Sequence, residues 1–123
     1  MKLPKSRIIR STNDFAAVRK RGKTQASGGV LLGVMLCERR VDEPTRFGFV
    51  TPKYLGGAVQ RNLVRRRLKH IVIEIGERCV PGYDVVIIAR RSAATTSYAR
   101  LMNDFLRAAQ RVQLFGSERG GGQ

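Results

Sequence analysis

Acidic side chains are scarce in this chain of 123 residues, which has 9 Asp plus Glu against 24 Lys plus Arg, one histidine, two cysteines and no tryptophan. The acids are scattered along the sequence, whereas a two-metal nuclease site needs several carboxylates at one place. We interpret the single histidine, His70, as structural, because no Ser/His/Asp set or metal-ligand cluster can be assembled around it. No GxxxxGKS/T phosphate loop is present. The sequence therefore predicts neither catalytic nor metal-ligating residues.

Long apolar runs are also missing. No stretch of about 20 apolar residues could span a bilayer, and the N-terminus from Met1 to Arg7 lacks the apolar middle of a signal peptide. We therefore expect a cytoplasmic protein that does not contact a membrane. Cys37 and Cys79 form no CxxC or metal-binding spacing, so we predict that both are buried free thiols in a reducing compartment.

Positive charge is what the chain has in excess, with a formal net charge of +15 and a pI of about 11.4. Such an excess is a standing repulsion within any compact fold. A polyanionic partner relieves it, and nucleic acid is the commonest such partner because phosphate contacts release condensed counterions. The alternative is a basic surface that meets only solvent.

One domain accounts for nearly the whole chain. Its hydrophobic content of 42% is enough for one core, and no repeat or internal linker divides the sequence. We expect a single domain over residues 1–115. Residues 116–123 are predicted to form a disordered glycine-rich tail, since they offer nothing to bury against their ordering entropy.

Helix caps, apolar periodicity and turn residues predict the order helix, three strands, helix, strand, helix. The predicted elements are a helix over 11–22, strands over 23–27, 30–37 and 46–51, a helix over 58–78, a strand over 83–89 and a helix from about 97 to 115. In the third strand, alternation puts Phe47 and Phe49 on one face, and we expect both in the core. This order indicates an α+β fold in which helices cover a mixed sheet.

The segment from Ala58 to Lys69 carries five cations, yet apolar residues recur in it at helical spacing. On an ideal helix that advances about 100° per residue, one arc is apolar and another is polar. The apolar arc contains Val64, Leu68, Ile71, Val72 and Ile75. The polar arc contains Asn62, Arg65, Arg66 and Lys69, with Arg61 at its border. Arg67 falls outside both arcs, on another side of the helix.

Residues 61–69, Arg-Asn-Leu-Val-Arg-Arg-Arg-Leu-Lys, resemble the RN-x-x-K/R-R-x-x-R/K signature of the protein subunit of bacterial ribonuclease P. The resemblance covers nearly the whole chain up to about Phe115. Its flanking matches are Asn13-Asp14-Phe15, Val18, Gly22, Arg46-Phe47-Gly48-Phe49, Lys53, Gly56-Gly57-Ala58-Val59, the run from Tyr83 to Arg90, and a final helix.

The resemblance implies a four-stranded mixed sheet with three helices, in the order α-β-β-β-α-β-α, and a left-handed βαβ crossover against the usual right-handed rule. It implies an RNA-binding domain whose partners are a catalytic RNA subunit and precursor tRNA, from which that RNA removes the 5′ leader. Mg²⁺ would be the cofactor, held chiefly by the RNA. The protein would be an accessory subunit of a ribonucleoprotein endonuclease, with no catalytic residues of its own and no obligate protein partner.

The resemblance also assigns two binding sites. The residues that would bind the RNA subunit are Arg61, Asn62, Arg65, Arg66 and Lys69. The second implied site is a cleft between the first helix and the sheet that receives the single-stranded leader. Phe15 would stack on an unpaired base there, with Lys53, Arg90 and Arg91 at the rim. The alternative for Phe15 is plain packing of a short helix against the sheet.

Three positions depart from the family pattern and bear on the leader site. Arg19 stands where many members have a second aromatic residue, Pro52 replaces a small polar residue, and Tyr54 replaces a common second lysine. Two other functional classes stay open. A ribosomal or translation-associated RNA-binding module would have similar charge and fold type, and a self-sufficient protein nuclease is disfavoured by the missing carboxylate cluster.

Overall fold

The structure is a computed structural model that describes residues 3–116. Within them the helices are α1 (Thr12–Arg21), α2 (Ala58–Ile75) and α3 (Tyr98–Arg111), and the strands are β1 (Lys23–Ser27), β2 (Val30–Leu36), β3 (Arg46–Val50) and β4 (Tyr83–Ala89). The predicted order α-β-β-β-α-β-α is confirmed. The predicted glycine-rich tail lies, beyond Gly116, outside the described residues.

The four strands form one mixed sheet in the order β1-β2-β4-β3. β2 pairs antiparallel with β1 and with β4, whereas β3 pairs parallel with β4. Parallel neighbours cannot be joined by a hairpin, and α2 supplies the crossover connection between them. In their register Phe47 lies opposite Val85 and Val50 lies opposite Ile88. The segments that follow β3 and β4 therefore leave the sheet at the same edge.

Helices cover the two faces of the sheet unequally. α2 and α3 pack on one face around fully buried side chains such as Phe47, Leu68 and Phe105. α1 packs on the other face over a smaller cluster that includes Val18. The prediction that Phe47 lies in the core is confirmed, but Phe49 is only half-buried at its margin. Several apolar side chains on the face under α1 are only partly buried, and three of them line the groove described below.

The predicted starts of α1 and α3 are confirmed by their caps. Ser11 Oγ accepts a hydrogen bond from the Asn13 amide at 3.1 Å, and Ser97 Oγ accepts one from the Arg100 amide at 3.1 Å. Such caps satisfy amides that have no partner within the helix. None of the helices in residues 3–116 is long and apolar enough to cross a membrane.

Two predicted helix ends are wrong. α2 ends at Ile75, and residues 76–78 continue it only as a 3₁₀ turn. α3 ends at Arg111 rather than near Phe115, because Gln113 has a φ of 61°, which lies outside the right-handed helical region. The apolar period continues past the true end because Leu114, although it lies in a turn, is still buried in the core.

Both cysteines are free thiols, as predicted, but each is half-buried rather than buried. Burial raises the pKa of the Cys79 thiol from 9.0 to about 12, because desolvation penalises the thiolate, and the nearby cations of Arg7 and Arg78 oppose this only in part. The thiol of Cys79 is therefore protonated at neutral pH.

Candidate nucleic-acid interface

The polar arc of α2 faces away from the core, and we call it the α2 basic face. Its members are Arg61, Asn62, Arg65, Arg66 and Lys69. Asn62 and Arg66 are exposed, and the other three are half-buried along its borders. The orientation arises because Val64 and Leu68, on the opposite side, are 2% and 0% exposed and fix the rotation of the helix. The separation that the helical wheel predicts is therefore observed.

The half-buried cations of this face are held by neighbouring groups. Arg65 donates from Nη2 to Thr51 Oγ1 at 2.6 Å and, more weakly, from Nη1 to Asn62 Oδ1 at 3.4 Å. Lys69 Nζ lies 6.0 Å from the centroid of the Phe49 ring, within cation–π range. A guanidinium has five N–H donors, so these contacts direct Arg65 while leaving donors for a ligand. The buried Nε of Arg61 has no hydrogen-bond partner in the described part of the chain.

Arg67 is engaged elsewhere, as its position outside the polar arc indicates. It donates from Nη1 to the Thr96 carbonyl at 2.9 Å and so ties α2 to the loop before α3. His70 lies on the same side, with its ring edge-on to Tyr98 at a centroid distance of 5.9 Å. Both side chains connect α2 with the start of α3, which agrees with the structural interpretation of His70.

Three exposed cations lie at the edge of the sheet where β3 and β4 end, and we call them the strand-end rim. Lys53 begins the 3₁₀ turn after β3, Arg90 directly follows β4, and Arg91 begins the next 3₁₀ turn. The two turns are in contact, since the parallel register of β3 and β4 brings them to one edge. Arg90 donates to the Gly28 carbonyl at 3.3 Å. The structure therefore brings together the three cations that the resemblance places at one rim.

Phe15 lies on the α1 face of the sheet, with the edge of its ring against Gly48 of β3. A Cβ atom at Gly48 would stand 2.6 Å from Phe15 Cζ, so the absence of a side chain there allows the ring to approach the strand. Val50 and Ile88 continue the same face toward the strand-end rim, and both are half-buried. We call this surface of Phe15, Val50 and Ile88 the α1 groove. Its apolar side chains lie along the sheet, and the three cations of the strand-end rim follow at the end of the strands.

A buried ion pair fixes the helix that carries Phe15. Arg46 of β3 binds Asp84 of β4 through two hydrogen bonds of 2.9 and 2.7 Å, and it also donates to Asp14 of α1 at 3.2 Å. The bond to Asp84 raises the pKa of Arg46, because it stabilises the charged guanidinium. Asp84 is 1% exposed and is also 3.5 Å from Arg40. Because Asp14 precedes Phe15, this network positions the aromatic ring over the sheet.

These arrangements can be compared with known proteins. A family model described as Ribonuclease P matches residues 3–113. A ribonuclease P protein component from Roseiflexus sp. strain RS-1 is 39% identical over 105 residues, which are 85% of this chain and 84% of the relative. Another from Streptomyces bikiniensis is 38% identical over 118 residues, covering 89% and 94% of the two chains. This chain belongs to the ribonuclease P protein family.

Solved structures agree with that assignment at the level of the fold. The RNase P protein of Staphylococcus aureus superimposes with a TM-score of 0.82 at 21% identity, covering 91% of this chain and all of that one. The RNase P protein of Thermotoga maritima gives a TM-score of 0.75 at 20% identity, covering 85% of this chain and 96% of its own. The α+β fold with a four-stranded mixed sheet is therefore that of the ribonuclease P proteins.

The structure adds one aromatic residue to the rim of this ribonuclease P family member. Tyr54 is 45% exposed, its hydroxyl donates to the Ala89 carbonyl at 2.7 Å, and the Arg91 guanidinium lies 5.1 Å from its ring centroid. From the sequence alone, Tyr54 is only a position at which this chain lacks the lysine common in the family. Its proximity to Arg91, which is 37 positions away, depends on the parallel pairing of β3 with β4.

Two exposed apolar side chains on α2 are a second feature that sequence reasoning missed. Val59 is 82% exposed and Leu63 is 38% exposed, and the four-residue spacing places them beside each other on the helix. The signal was present in the wheel, because neither residue belongs to the apolar arc. They border Asn62 and Arg66, so the α2 basic face has an apolar edge.

The carboxylates of residues 3–116 do not form a cluster that would fit a magnesium ion. Within residues 3–116, the buried carboxylates are Asp84 and Asp104. Asp84 is bound by arginines, and Asp104 accepts from the Gly29 amide at 2.9 Å. No three His, Cys, Asp or Glu side chains in that range lie close enough together to hold a metal ion.

Proposed function

We propose that this chain is the protein subunit of a ribonuclease P, which binds a catalytic RNA through the α2 basic face and the 5′ leader of precursor tRNA through the α1 groove. The observation that carries this proposal is a hydrogen bond that joins the α2 basic face to the segment between the α1 groove and the strand-end rim. Arg65 of the α2 basic face donates to Thr51, which lies between Val50 of the groove and the turn that carries Lys53. One rigid body therefore presents both surfaces.

The α2 basic face suits a folded RNA. Guanidinium groups bind phosphate oxygens through two parallel hydrogen bonds, and an amide such as that of Asn62 can bind a 2′-hydroxyl. The exposed apolar edge of Val59 and Leu63 suits a ribose or base edge, since it adds contact area without charge.

The α1 groove suits an unpaired strand. An aromatic side chain provides a stacking surface for a base of any sequence, and neighbouring cations neutralise the backbone. The stacking surface is the ring of Phe15. The cations are those of the strand-end rim, Lys53, Arg90 and Arg91. This interpretation of Phe15 goes beyond packing, because its ring is only half-buried while its edge already contacts Gly48.

Cleavage is assigned to the RNA subunit. Mg²⁺ would there activate water and stabilise the leaving oxygen, as metal ions do in phosphodiester hydrolysis. The part of this chain that the structure describes contributes cations that lower the repulsion between the RNA subunit and precursor tRNA. The protein therefore raises substrate affinity and, by the same electrostatic effect, the affinity of the RNA for its metal ions.

A reconstitution experiment tests the proposal against its alternatives. Purified protein is incubated with precursor tRNA and Mg²⁺, with and without the RNA subunit. We expect leader removal with the RNA subunit, improved by the protein at low Mg²⁺, and none with protein alone. Cleavage by protein alone would favour a protein nuclease. No improvement of the RNA-catalysed reaction would favour a ribosomal or translation-associated RNA-binding module.

The α2 basic face is tested by the salt dependence of RNA-subunit binding. Arg66→Ala should weaken binding and flatten the plot of log affinity against log salt by about 0.7 to 0.9 of a unit for each phosphate that is no longer neutralised. Arg39→Ala is the matched control, since Arg39 is an exposed arginine in the 3₁₀ turn after β2, at the opposite end of the sheet. Equal slopes for the two variants would show that the face does not meet phosphates.

The α1 groove is tested by the difference between precursor and mature tRNA. Phe15→Ala should weaken binding of precursor tRNA to the assembled enzyme by roughly 1–3 kcal/mol and leave mature tRNA binding unchanged. Phe15→Leu, which keeps apolar bulk over Gly48, separates stacking from packing. Equal losses for both tRNAs would mean that Phe15 only holds the fold.

A further inference from the structure

Beside the strand-end rim lies an aromatic residue, Tyr54. Binding of phosphates by the three cations does not explain why a tyrosine is exposed there. Tyr54 is 45% exposed. Its hydroxyl donates to the Ala89 carbonyl at 2.7 Å, and this bond anchors the end of the ring. The ring is thus held at the end of β4, one residue beyond Ile88 of the α1 groove.

The guanidinium of Arg91 lies 5.1 Å from the Tyr54 centroid, within the range of a cation–π contact. This contact places a positive charge over one face of the ring, and the Tyr54 side chain is still 45% exposed. A planar aromatic surface, held by a hydrogen bond and flanked by an exposed cation, is what an unpaired nucleotide requires: the base stacks, and the phosphate that follows meets the cation.

We propose that Tyr54 and Arg91 form a second nucleobase site, which stacks an unpaired base of the leader other than the base bound by Phe15 in the α1 groove. The site rests on the proposed function and deepens it. Lysine at this position, as in the family pattern, would contribute only charge, so a tyrosine replaces part of the electrostatic binding with stacking. We therefore expect the affinity for the leader to depend less on salt concentration than it would with a lysine at position 54.

The two aromatic residues are separated along the groove. Phe15 lies over Gly48, and Tyr54 is attached to Ala89, which follows Ile88, the partner of Val50 in the β3–β4 register. Because a strand rises about 3.3 Å per residue, the positions of Gly48 and Val50 differ by roughly 7 Å along the sheet. The two rings therefore bind different nucleotides of one strand.

Fluorescence of 2-aminopurine, placed at one leader position at a time in precursor tRNA, tests the site in the assembled enzyme. Stacking quenches this base analogue. Tyr54→Leu, which keeps apolar bulk, should restore fluorescence at one leader position, and Phe15→Leu should restore it at a different one. Precursor tRNA should bind the Tyr54→Leu enzyme about 5- to 150-fold more weakly, with mature tRNA unchanged. Tyr54→Phe, which keeps the ring and loses the hydroxyl bond, should lose less.

The outcomes separate the new site from the proposed function. If Phe15→Leu restores fluorescence at one position and Tyr54→Leu at none, the second site is wrong and the leader groove stands. If neither variant changes any position, the leader groove itself is wrong. Affinity for the RNA subunit is measured without tRNA as a further arm. A loss confined to that arm would mean that Tyr54 stacks on the RNA subunit, which would also overturn the proposal.

Discussion

Alanine at position 48 should force Phe15 off the sheet. The added Cβ would lie 2.6 Å from Phe15 Cζ, 2.7 Å from Cε1 and 3.3 Å from Ile9 Cβ. Carbon atoms pack at about 3.5–4.0 Å, so the ring must retreat by roughly 1 Å. The bond from Arg46 to Asp14 holds α1 against this movement. We expect Gly48→Ala to lower the free energy of unfolding by about 1–3 kcal/mol, the usual cost of overpacking.

The assay is urea unfolding followed by far-UV circular dichroism, because the chain has no tryptophan. A double-mutant cycle with Phe15→Ala isolates the clash: once the ring is gone, Gly48→Ala should cost almost nothing. Gly76→Ala is the matched control, since that glycine is also buried but its Cβ would meet neighbours only at 3.6 Å and beyond. It should be neutral or stabilising by about 0.4–1 kcal/mol.

Function gives the second readout of the same variant. A displaced ring should weaken binding of precursor tRNA to the assembled enzyme and leave mature tRNA binding unchanged. Additive effects of Gly48→Ala and Phe15→Ala on stability would refute the reasoning, because they would show that the two positions are not in contact. The reasoning would also be refuted if Gly76→Ala lowered the free energy of unfolding as much as Gly48→Ala.

Three further predictions concern the scaffold. Asp84→Asn removes the buried charge that two arginines bind, so unfolding free energy should fall by roughly 3–5 kcal/mol, and a urea midpoint that stays unchanged would contradict this. In a Cys37→Ser chain, Cys79 should react slowly with a disulfide reagent at pH 8. Folding raises the pKa of the Cys79 thiol, so the contribution of this group to stability is present below pH 9 and is lost as the pH rises from about 9 to about 12. Urea unfolding at a series of alkaline pH values checks this. Arg67→Ala should cost about 1 kcal/mol of stability without the flatter salt slope expected of Arg66→Ala, and an equal change of slope would place Arg67 in the RNA interface.

Local sequence was sufficient for the elements whose signals are local. α2 was predictable because its apolar and basic residues separate on one wheel, and the starts of α1 and α3 because Ser11 and Ser97 are caps. The end of α3 was not predictable from periodicity. Leu114 keeps the apolar period, while the backbone reverses at Gln113, and a buried leucine in a turn cannot be distinguished by pattern from one in a helix.

The candidate site was predictable where it lies on one element and not where it joins two. Membership of the α2 basic face follows from helical geometry alone. The contact of Arg65 with Thr51 depends on how α2 packs against the end of β3. The contact of Tyr54 with Arg91 depends on the parallel register of β3 and β4, which is formed by segments about 40 residues apart. The resemblance to a family placed Lys53, Arg90 and Arg91 at one rim, but it gave no role to Tyr54, since that position usually carries a lysine.

The hydrogen bond of 2.6 Å between Arg65 and Thr51 has a thermodynamic consequence for two ligands. It holds the α2 basic face at a set distance from the α1 groove. Under the proposed function, a precursor tRNA that is already docked on the RNA subunit therefore presents its leader to the groove as an intramolecular ligand. Binding of the leader is then governed by an effective concentration rather than by the concentration of tRNA in solution. Under the proposed function, a groove with weak intrinsic affinity is sufficient, and release of the leader after cleavage stays fast.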